Sequence, residues 1–341
     1  MTQRPFIIPV FLPHMGCTHQ CVFCNQNAIT GVTSHHLPSE KVSEIITDFL
    51  KYRKKTDNNA QIAFYGGNFL GLNKDYVESL LIEASKFVAA KKADSIRFST
   101  RPDTIDDQRL DRIAKFSVST IEIGVQSMDD IVLLKSKRGH TAKDTVKAFD
   151  LLKKRNYITG AQMMVGLPHD DGETAIKTAE KIVDLAPDFV RIYPTLVFSG
   201  SLLASWYKKE EYVPMALGES VSLVKKIYLL FKKKGIRVIR MGLQATRDLD
   251  AKAAILAGPY HPSFGHLVLS DIFLDEVILA VKAGQKLSEE LLIKVHPKSI
   301  SRMQGLKKRN VEILKKKFKF KTIRIVQDTR IGIDECNVVC N

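Results

Sequence analysis

The chain has 341 residues, 45% of them hydrophobic and 26% charged, with a formal net charge of +15. That length and balance suit a large globular domain plus a smaller one and exclude a disordered or collagen-like chain. No apolar run approaches the ~20 residues that span a bilayer, and Met1–Phe6 lacks the apolar stretch and cleavage site of a signal peptide, so a cytoplasmic protein is expected.

Short apolar runs predict strands at 7–12, 61–65, 95–99, 120–125, 161–165 and 189–193. Amphipathic stretches at 39–54, 74–91, 106–116, 141–155 and 171–185 predict helices between them; in the first, Val42, Ile45, Ile46 and Phe49 recur at helical spacing. A helix at 218–234 and a strand at 236–239 follow. Strand and helix alternating about six times implies a parallel sheet with right-handed crossovers. Cysteines, paired glycines, Arg101, Gln126 and Gly166 fall at or just after strand ends, which in a barrel share one mouth. The expectation is an α/β protein: a partial (β/α)6 TIM-type barrel over 1–245, with a smaller C-terminal α+β appendage over 246–341. The appendage holds a turn cluster, Gly258-Pro259-Tyr260-His261-Pro262, and a strand-like run at 322–326. Tyr260, His261 and His266 are polar candidates for a substrate loop; a rigid connection between domains is the other reading.

Three of the five cysteines, Cys17, Cys21 and Cys24, crowd into one loop after the first strand. In a cytoplasmic chain such clustering points to metal or catalysis rather than disulfides. CxxxCxxC spacing lets three thiolates hold one face of a cubane, leaving the fourth iron open, whereas an electron carrier normally fills four positions. Structural zinc with His14 or His19 as fourth ligand is the alternative, better suited to a small knuckle than to a barrel mouth. Cys336 and Cys340, at the tail, cannot complete a second cubane unaided and are expected to be free thiols in a mobile terminus.

The loop, with Phe23 before the third cysteine, resembles the signature of radical S-adenosylmethionine (SAM) enzymes. The resemblance implies a [4Fe–4S] cluster on Cys17, Cys21 and Cys24, with SAM chelating the open iron. It also implies one-electron cleavage of SAM to a 5′-deoxyadenosyl radical that abstracts hydrogen from a substrate. Tyr65-Gly66-Gly67-Asn68 stands where the family contacts the SAM amino group, with Asn68 in place of the usual acidic residue. The resemblance further implies Arg101 as a SAM contact, Gln126 and Arg138 on the ribose and carboxylate, and Phe23 with Gly166-Leu167 on the adenine.

The segments STRPD (99–103), IEIGVQS (121–127), RGHT (138–141) and RIYPTLV (191–197) resemble the radical SAM part of the catalytic subunit of Elongator, a tRNA wobble-uridine modifying complex. That resemblance runs from about residue 6 to 250. The compact cysteine spacing and the short remainder depart from that subunit, which also carries an acetyltransferase domain. The match is therefore to Elongator-like radical SAM proteins without that domain. It implies an RNA substrate, tRNA above all, reached through a basic surface, and a flavodoxin- or ferredoxin-type electron donor. GVQS and GLP also resemble oxygen-independent coproporphyrinogen oxidase, so a small-molecule substrate such as a tetrapyrrole stays open, as does a non-catalytic binding scaffold. The positive balance suits a polyanion and equally a lysine-rich solvated surface.

Overall fold

The computed structural model describes residues 5–12, 14–26, 37–54, 59–243, 254–284 and 289–340. Its main element is a seven-stranded, wholly parallel sheet. In chain order the first half runs β1 (Phe6–Phe11), α1 (Ser39–Leu50), β2 (Ala60–Tyr65), α2 (Lys74–Ala89), β3 (Ser95–Thr100), α3 (Asp107–Ile113) and β4 (Val118–Gln126). Two helices, α4 (Asp130–Lys135) and α5 (Ala142–Lys154), lead to β5 (Ile158–Val165), α6 (Gly172–Asp184) and β6 (Phe189–Pro194). Then come β7 (Val197–Phe198), α7 (Leu202–Lys208), α8 (Leu217–Lys233) and β8 (Arg237–Met241). Sheet order is β1-β2-β3-β4-β5-β6-β8; its two outer strands do not pair with each other among the described residues, so the sheet curls into a half-barrel. The expected partial barrel thus forms, with β8 as a seventh strand.

Local chemistry starts the helices where the sequence changes period. Asn73, Asp106, Asp129, Asp171 and Ser201 each accept a backbone N–H of the first turn, and Thr141 forms a capping box with Asp144. Strand alternation then sorts the two faces of the sheet. Ile8, Val10, Ile62, Phe64, Ile96, Phe98, Ile121, Ile123, Met163 and Ile192 join the helices in one buried core. The opposite set (Gln61, Tyr65, Arg97, Glu122, Gln162, Arg191 and Tyr193) lines the lumen. Parallel sheets covered on both faces are usually apolar on both. A charged lumen is therefore a functional departure from that rule.

The C-terminal part holds β9 (Ile255–Ala257), α9 (Phe264–Ala283), β10 (Glu290–Val295), α10 (Ile300–Gln304), α11 (Arg309–Phe318), β11 (Thr322–Gln327) and β12 (Cys336–Cys340). β9 pairs antiparallel with β7 in a two-stranded sheet separate from the barrel strands. β11-β10-β12 form a mixed three-stranded sheet. One helix serves both cores: Phe264, Val268 and Ile272 of α9 belong to the barrel core, while Phe273, Leu274, Val277 and Val281 belong to the core of the small sheet. The tail, expected to be mobile, is instead strand β12, because Val338 and Cys336 have apolar partners beneath the sheet. Among the described residues no helix is long and apolar enough to cross a membrane.

Candidate functional site

The cysteine loop leaves β1 at the mouth of the half-barrel and is fastened on three sides. Val22 N–H donates to Ser136 O (3.1 Å) below α4, Leu203 N–H of α7 donates to Val22 O (2.8 Å), and Asn25 Nδ2 donates to Ser199 O (2.6 Å). On the β2 side the contact is backbone to backbone. A Cβ on Gly67 would lie 2.2 Å from Met15 O, and one on Gly16 2.2 Å from Asn68 O; both glycines have positive φ. Only glycine permits that approach. Gln26 closes the loop, accepting from Gly67 N–H at 2.7 Å while its own N–H donates to His14 Nε2 at 2.8 Å.

Asn68 is 1% exposed, and its carboxamide is spent on protein. Nδ2 donates to Gly16 O (3.0 Å); Oδ1 accepts from Thr100 Oγ1 (2.6 Å), Thr104 Oγ1 (2.9 Å) and Arg101 N–H (3.0 Å). An acidic residue could not make the first of these bonds, since an ionised carboxylate only accepts. Asparagine here ties the cysteine loop to the ends of β2 and β3, and Gly66 and Gly67 form the turn it holds.

Cys21 is buried, with Cys17 and Cys24 partly exposed. Burial, followed by the neighbouring Cys21, pushes the Cys17 thiol up. Burial and the repulsion of Cys21 and Cys17 push Cys24 up to about 12. Three thiolates so close to one another need a cationic partner. Arg138 supplies part of it: Nη1 donates to Cys21 Sγ at 3.2 Å and Nη2 to Gly124 O at 2.7 Å. Among the described residues no three His, Cys, Asp or Glu side chains converge where one metal ion could sit. A cubane gives each cysteine its own iron, which suits three thiols spread along one loop.

Around the thiols lies an unusual store of unpaired buried donors. Arg101 is 2% exposed and forks onto Asp103 (2.9 and 3.0 Å), leaving Nη1 without a partner; Nε of Arg138 is also unpartnered. Both ring nitrogens of buried His140 lack a well-formed hydrogen bond. Burial first, then Arg138 and Arg101, pushes His140 down to about 3, although the Val125 carbonyl and Asp103 oppose that. Buried donors are normally satisfied, so Arg101 Nη1 and Arg138 Nε are placed where an acceptor-rich ligand could take them. Gln126 closes this group from β4. Its φ of 66° and a register shift between Gly124 and Gln126 mark a strained strand end.

A cleft of about 740 Å³ opens beside the loop, between Gly166, Leu167 and Asp170 of the β5–α6 turn and Trp206, Tyr212 and Met215. Phe23 and Trp206 pack against the cluster of Val22, Leu203 and Tyr212, which joins the cleft to the cysteine loop. Tyr212 OH donates to Gly166 O at 2.6 Å, and Gly166 N–H donates to Asp170 Oδ2 at 2.8 Å. Asp170 Oδ1 has no partner, and burial pushes the carboxyl up to about 7 against two backbone hydrogen bonds.

Deeper in the lumen, Glu122 lies between two arginines, 2.5 Å from Arg97 Nη2 and 2.7 Å from Arg191 Nε. Burial works against the Arg191 charge, but Glu122 outweighs it and holds the group well above its usual range. Arg191 also reaches the Tyr65 and Tyr193 hydroxyls at 3.2 and 3.4 Å.

The mouth thus gathers Cys17, Cys21, Phe23, Cys24, Gly66, Gly67, Asn68, Arg101, Gln126, Arg138, Gly166 and Leu167. Other candidates lie apart from it. His261 Nδ1 accepts from Ser263 N–H at 3.0 Å, so its ring shapes the turn into α9, and Tyr260 packs on Leu196 and Phe198 after β6. His266 is lowered by burial, then Arg302 and His261. Cys336 and Cys340 begin and end β12, about 13 Å apart along the strand. Cys336 meets Glu276 and is pushed up to about 12, by burial first. Sequence reasoning passed over His140, Asp170, Tyr212 and the Glu122 pair. His140 stood in the RGHT segment and Asp170 four residues after Gly166, but burial, which makes them notable, has no local signature.

The family comparisons agree with this geometry. A profile described as "Radical SAM superfamily" matches residues 12–182, and one described as "Radical_SAM C-terminal domain" matches 187–272. The chain is 28% identical over 231 residues to a tRNA uridine(34) acetyltransferase of Methanocaldococcus jannaschii, covering 62% of this chain and 42% of that protein. It is 27% identical over 201 residues to Elongator complex protein 3 of Saccharomyces cerevisiae, covering 53% of this chain and 36% of that protein. The chain therefore spans less than half the length of either relative. Among solved structures, that of Methanocaldococcus infernus Elp3 lacking its N-terminus superposes with a TM-score of 0.64 at 24% identity, over 80% of this chain and 63% of that one. At that identity the likeness concerns the fold.

Proposed function

Because the chain belongs to the radical SAM superfamily, we propose that it binds a [4Fe–4S] cluster through Cys17, Cys21 and Cys24 and acts on an RNA nucleoside, tRNA above all. The observation that carries this reading is the mouth where Arg138 bonds Cys21 within the three-cysteine loop, with Arg101 Nη1 and Arg138 Nε buried and unpaired beside it. Its relatives, named for tRNA uridine(34) and for Elongator, support the substrate class. The cluster and SAM, when bound, supply the one-electron cleavage to a 5′-deoxyadenosyl radical that removes hydrogen from substrate.

The chain's own residues then have separable tasks. Arg138 keeps a positive charge on Cys21 and offers Nε to an acceptor. Arg101, its fork held by Asp103, would offer the single donor Nη1 to an acceptor of the ligand. Gln126 would bond ribose hydroxyls, and Phe23 with Gly166-Leu167 would wall the adenine. Gly66 and Gly67 place backbone at the SAM amino group, and Asn68 contributes by holding that turn. His140 stays neutral, so it adds no charge to an already cationic pocket. In this reading 1–245 is the catalytic core, 246–341 the accessory lobe, and a flavodoxin- or ferredoxin-type protein the electron donor.

The test is anaerobic reconstitution, then reductive SAM cleavage with and without total tRNA. Deuterium carried from labelled tRNA into 5′-deoxyadenosine is the expected result. Cleavage that no RNA stimulates, together with no deuterium transfer, refutes the RNA substrate. The lumen's two arginines to one glutamate would also receive a small organic acid, and stimulation by such an acid in the same assay would favour that second reading.

A further inference from the structure

Residues 289–340 hold thirteen Lys and Arg against six Asp and Glu. Ion pairs occupy Arg302, Arg309, Lys321 and Arg330. Lys307, Lys308, Lys316, Lys317 and Lys319 are exposed and in no ion pair among the described residues. Three of them also adopt left-handed backbone: Lys307 at φ 50°, Lys308 at 62° and Lys319 at 62°. Lys308 and Lys319 are the capping residues that flank α11. Glycine or asparagine would take those conformations more cheaply. Their side chains are exposed, so the ammonium groups stand in solvent.

The first turn is held firmly. Asn310, fully buried, donates through Nδ2 to Ser270 O (2.8 Å), Ser270 Oγ (3.0 Å) and Met303 O (3.1 Å), fixing the turn to α9 and α10. The ten residues of α11 set the two cationic groups apart by about 15 Å, the length of four or five nucleotides at ~3.4 Å of axis each. A bilayer surface would require an apolar face beside the cations. Leu306 alone is exposed in the turn, and Ile313, Leu314 and Phe318 of α11 point into the core.

We infer that the Lys307-Lys308 turn and the Lys316-Lys317-Lys319 end of α11 form a docking surface for the phosphodiester backbone of RNA. The surface lies outside the mouth and contributes affinity without reading sequence. This inference rests on the RNA reading above, and its test separates the two.

Labelled total tRNA is titrated with full-length protein between about 50 and 200 mM salt. Lys307→Glu/Lys308→Glu should weaken binding roughly tenfold or more and lower the salt slope by about two, one per lysine. Lys153→Glu/Lys154→Glu, the same charge change on α5, should bind as wild type. Lys307→Gly/Lys308→Gly should lose affinity while its melting temperature rises, because glycine relieves the left-handed strain. Loss of binding in step with loss of stability would overturn the inference. Equal slopes for wild type and both turn variants refute this surface and leave the RNA reading intact. A wild-type chain that ignores tRNA at low salt refutes both, and lysine-dependent adsorption to phosphatidylserine vesicles without tRNA binding replaces RNA with a membrane.

Discussion

The mouth of the half-barrel and the C-terminal lobe are both cationic, yet they use different chemistry. At the mouth and in the lumen the cations are arginines: Arg97, Arg101, Arg138 and Arg191, buried or nearly so and each bonded to a named atom. On the lobe they are mainly lysines, of which Lys307, Lys308, Lys316, Lys317 and Lys319 are exposed and in no ion pair among the described residues. A guanidinium offers a rigid fork of donors and is weakly hydrated, so it survives burial and fixes geometry. An ammonium on a flexible stem keeps its water and acts as a point charge over a Debye length. The first arrangement orients small groups; the second collects a polyanion.

Four measurements would break or sharpen that contrast. The largest effect belongs to the thiols: Cys24→Ala should abolish the cluster's visible absorbance and reductive SAM cleavage, and retained iron at about four per chain would dismiss the three-cysteine assignment. Next comes Glu122→Gln. It leaves Arg97 and Arg191 without their shared carboxylate, so denaturant unfolding should show a loss of about 3–5 kcal/mol. A loss below ~1 kcal/mol would mean the lumen is wetter than its burial indicates.

Third is a pH effect at the cleft. The folded-state pKa of Asp170 is raised to about 7, so between its ordinary value and 7 the folded protein binds more protons than the unfolded chain. Stability from this group is therefore present at low pH and lost as pH rises through that window. Asp170→Asn keeps the acceptor for Gly166 N–H and should remove this fall, seen as melting temperatures at pH 5 and pH 7.5 that differ less than in wild type. An unchanged pH difference would place the titration elsewhere. The smallest effect is on the lobe: Lys316→Ala/Lys317→Ala should shift stability by no more than ~0.5 kcal/mol, since neither lysine makes an ion pair. A larger loss would show that these lysines hold the fold.

The strand–helix alternation of the barrel was legible because period-two and helical patterns switch at capped helix starts such as Thr141 and Asp171. The short helix α4, the β7–β9 pair and strand β12 were not, since six, two and five residues carry too little periodicity. Among site residues, Cys17, Cys21 and Cys24 announced themselves by spacing, and Arg138 through the family resemblance of its RGHT segment. Asn68 was legible as a departure from an acidic pattern, but its task was not. Its four partners come from the cysteine loop and the end of β3, some 30 to 50 residues away in sequence.

By itself, then, the sequence determined the order of strands and helices, the cysteine triad and the excess of lysine near the C-terminus, because each is written in consecutive residues. Tertiary structure alone decided that Arg138 faces Cys21, that Glu122 is shared by two arginines, that α9 serves two cores, and that five lysines at the two ends of α11 make no ion pair among the described residues. Those facts depend on burial and on distances between segments far apart in the chain, and only packing sets them.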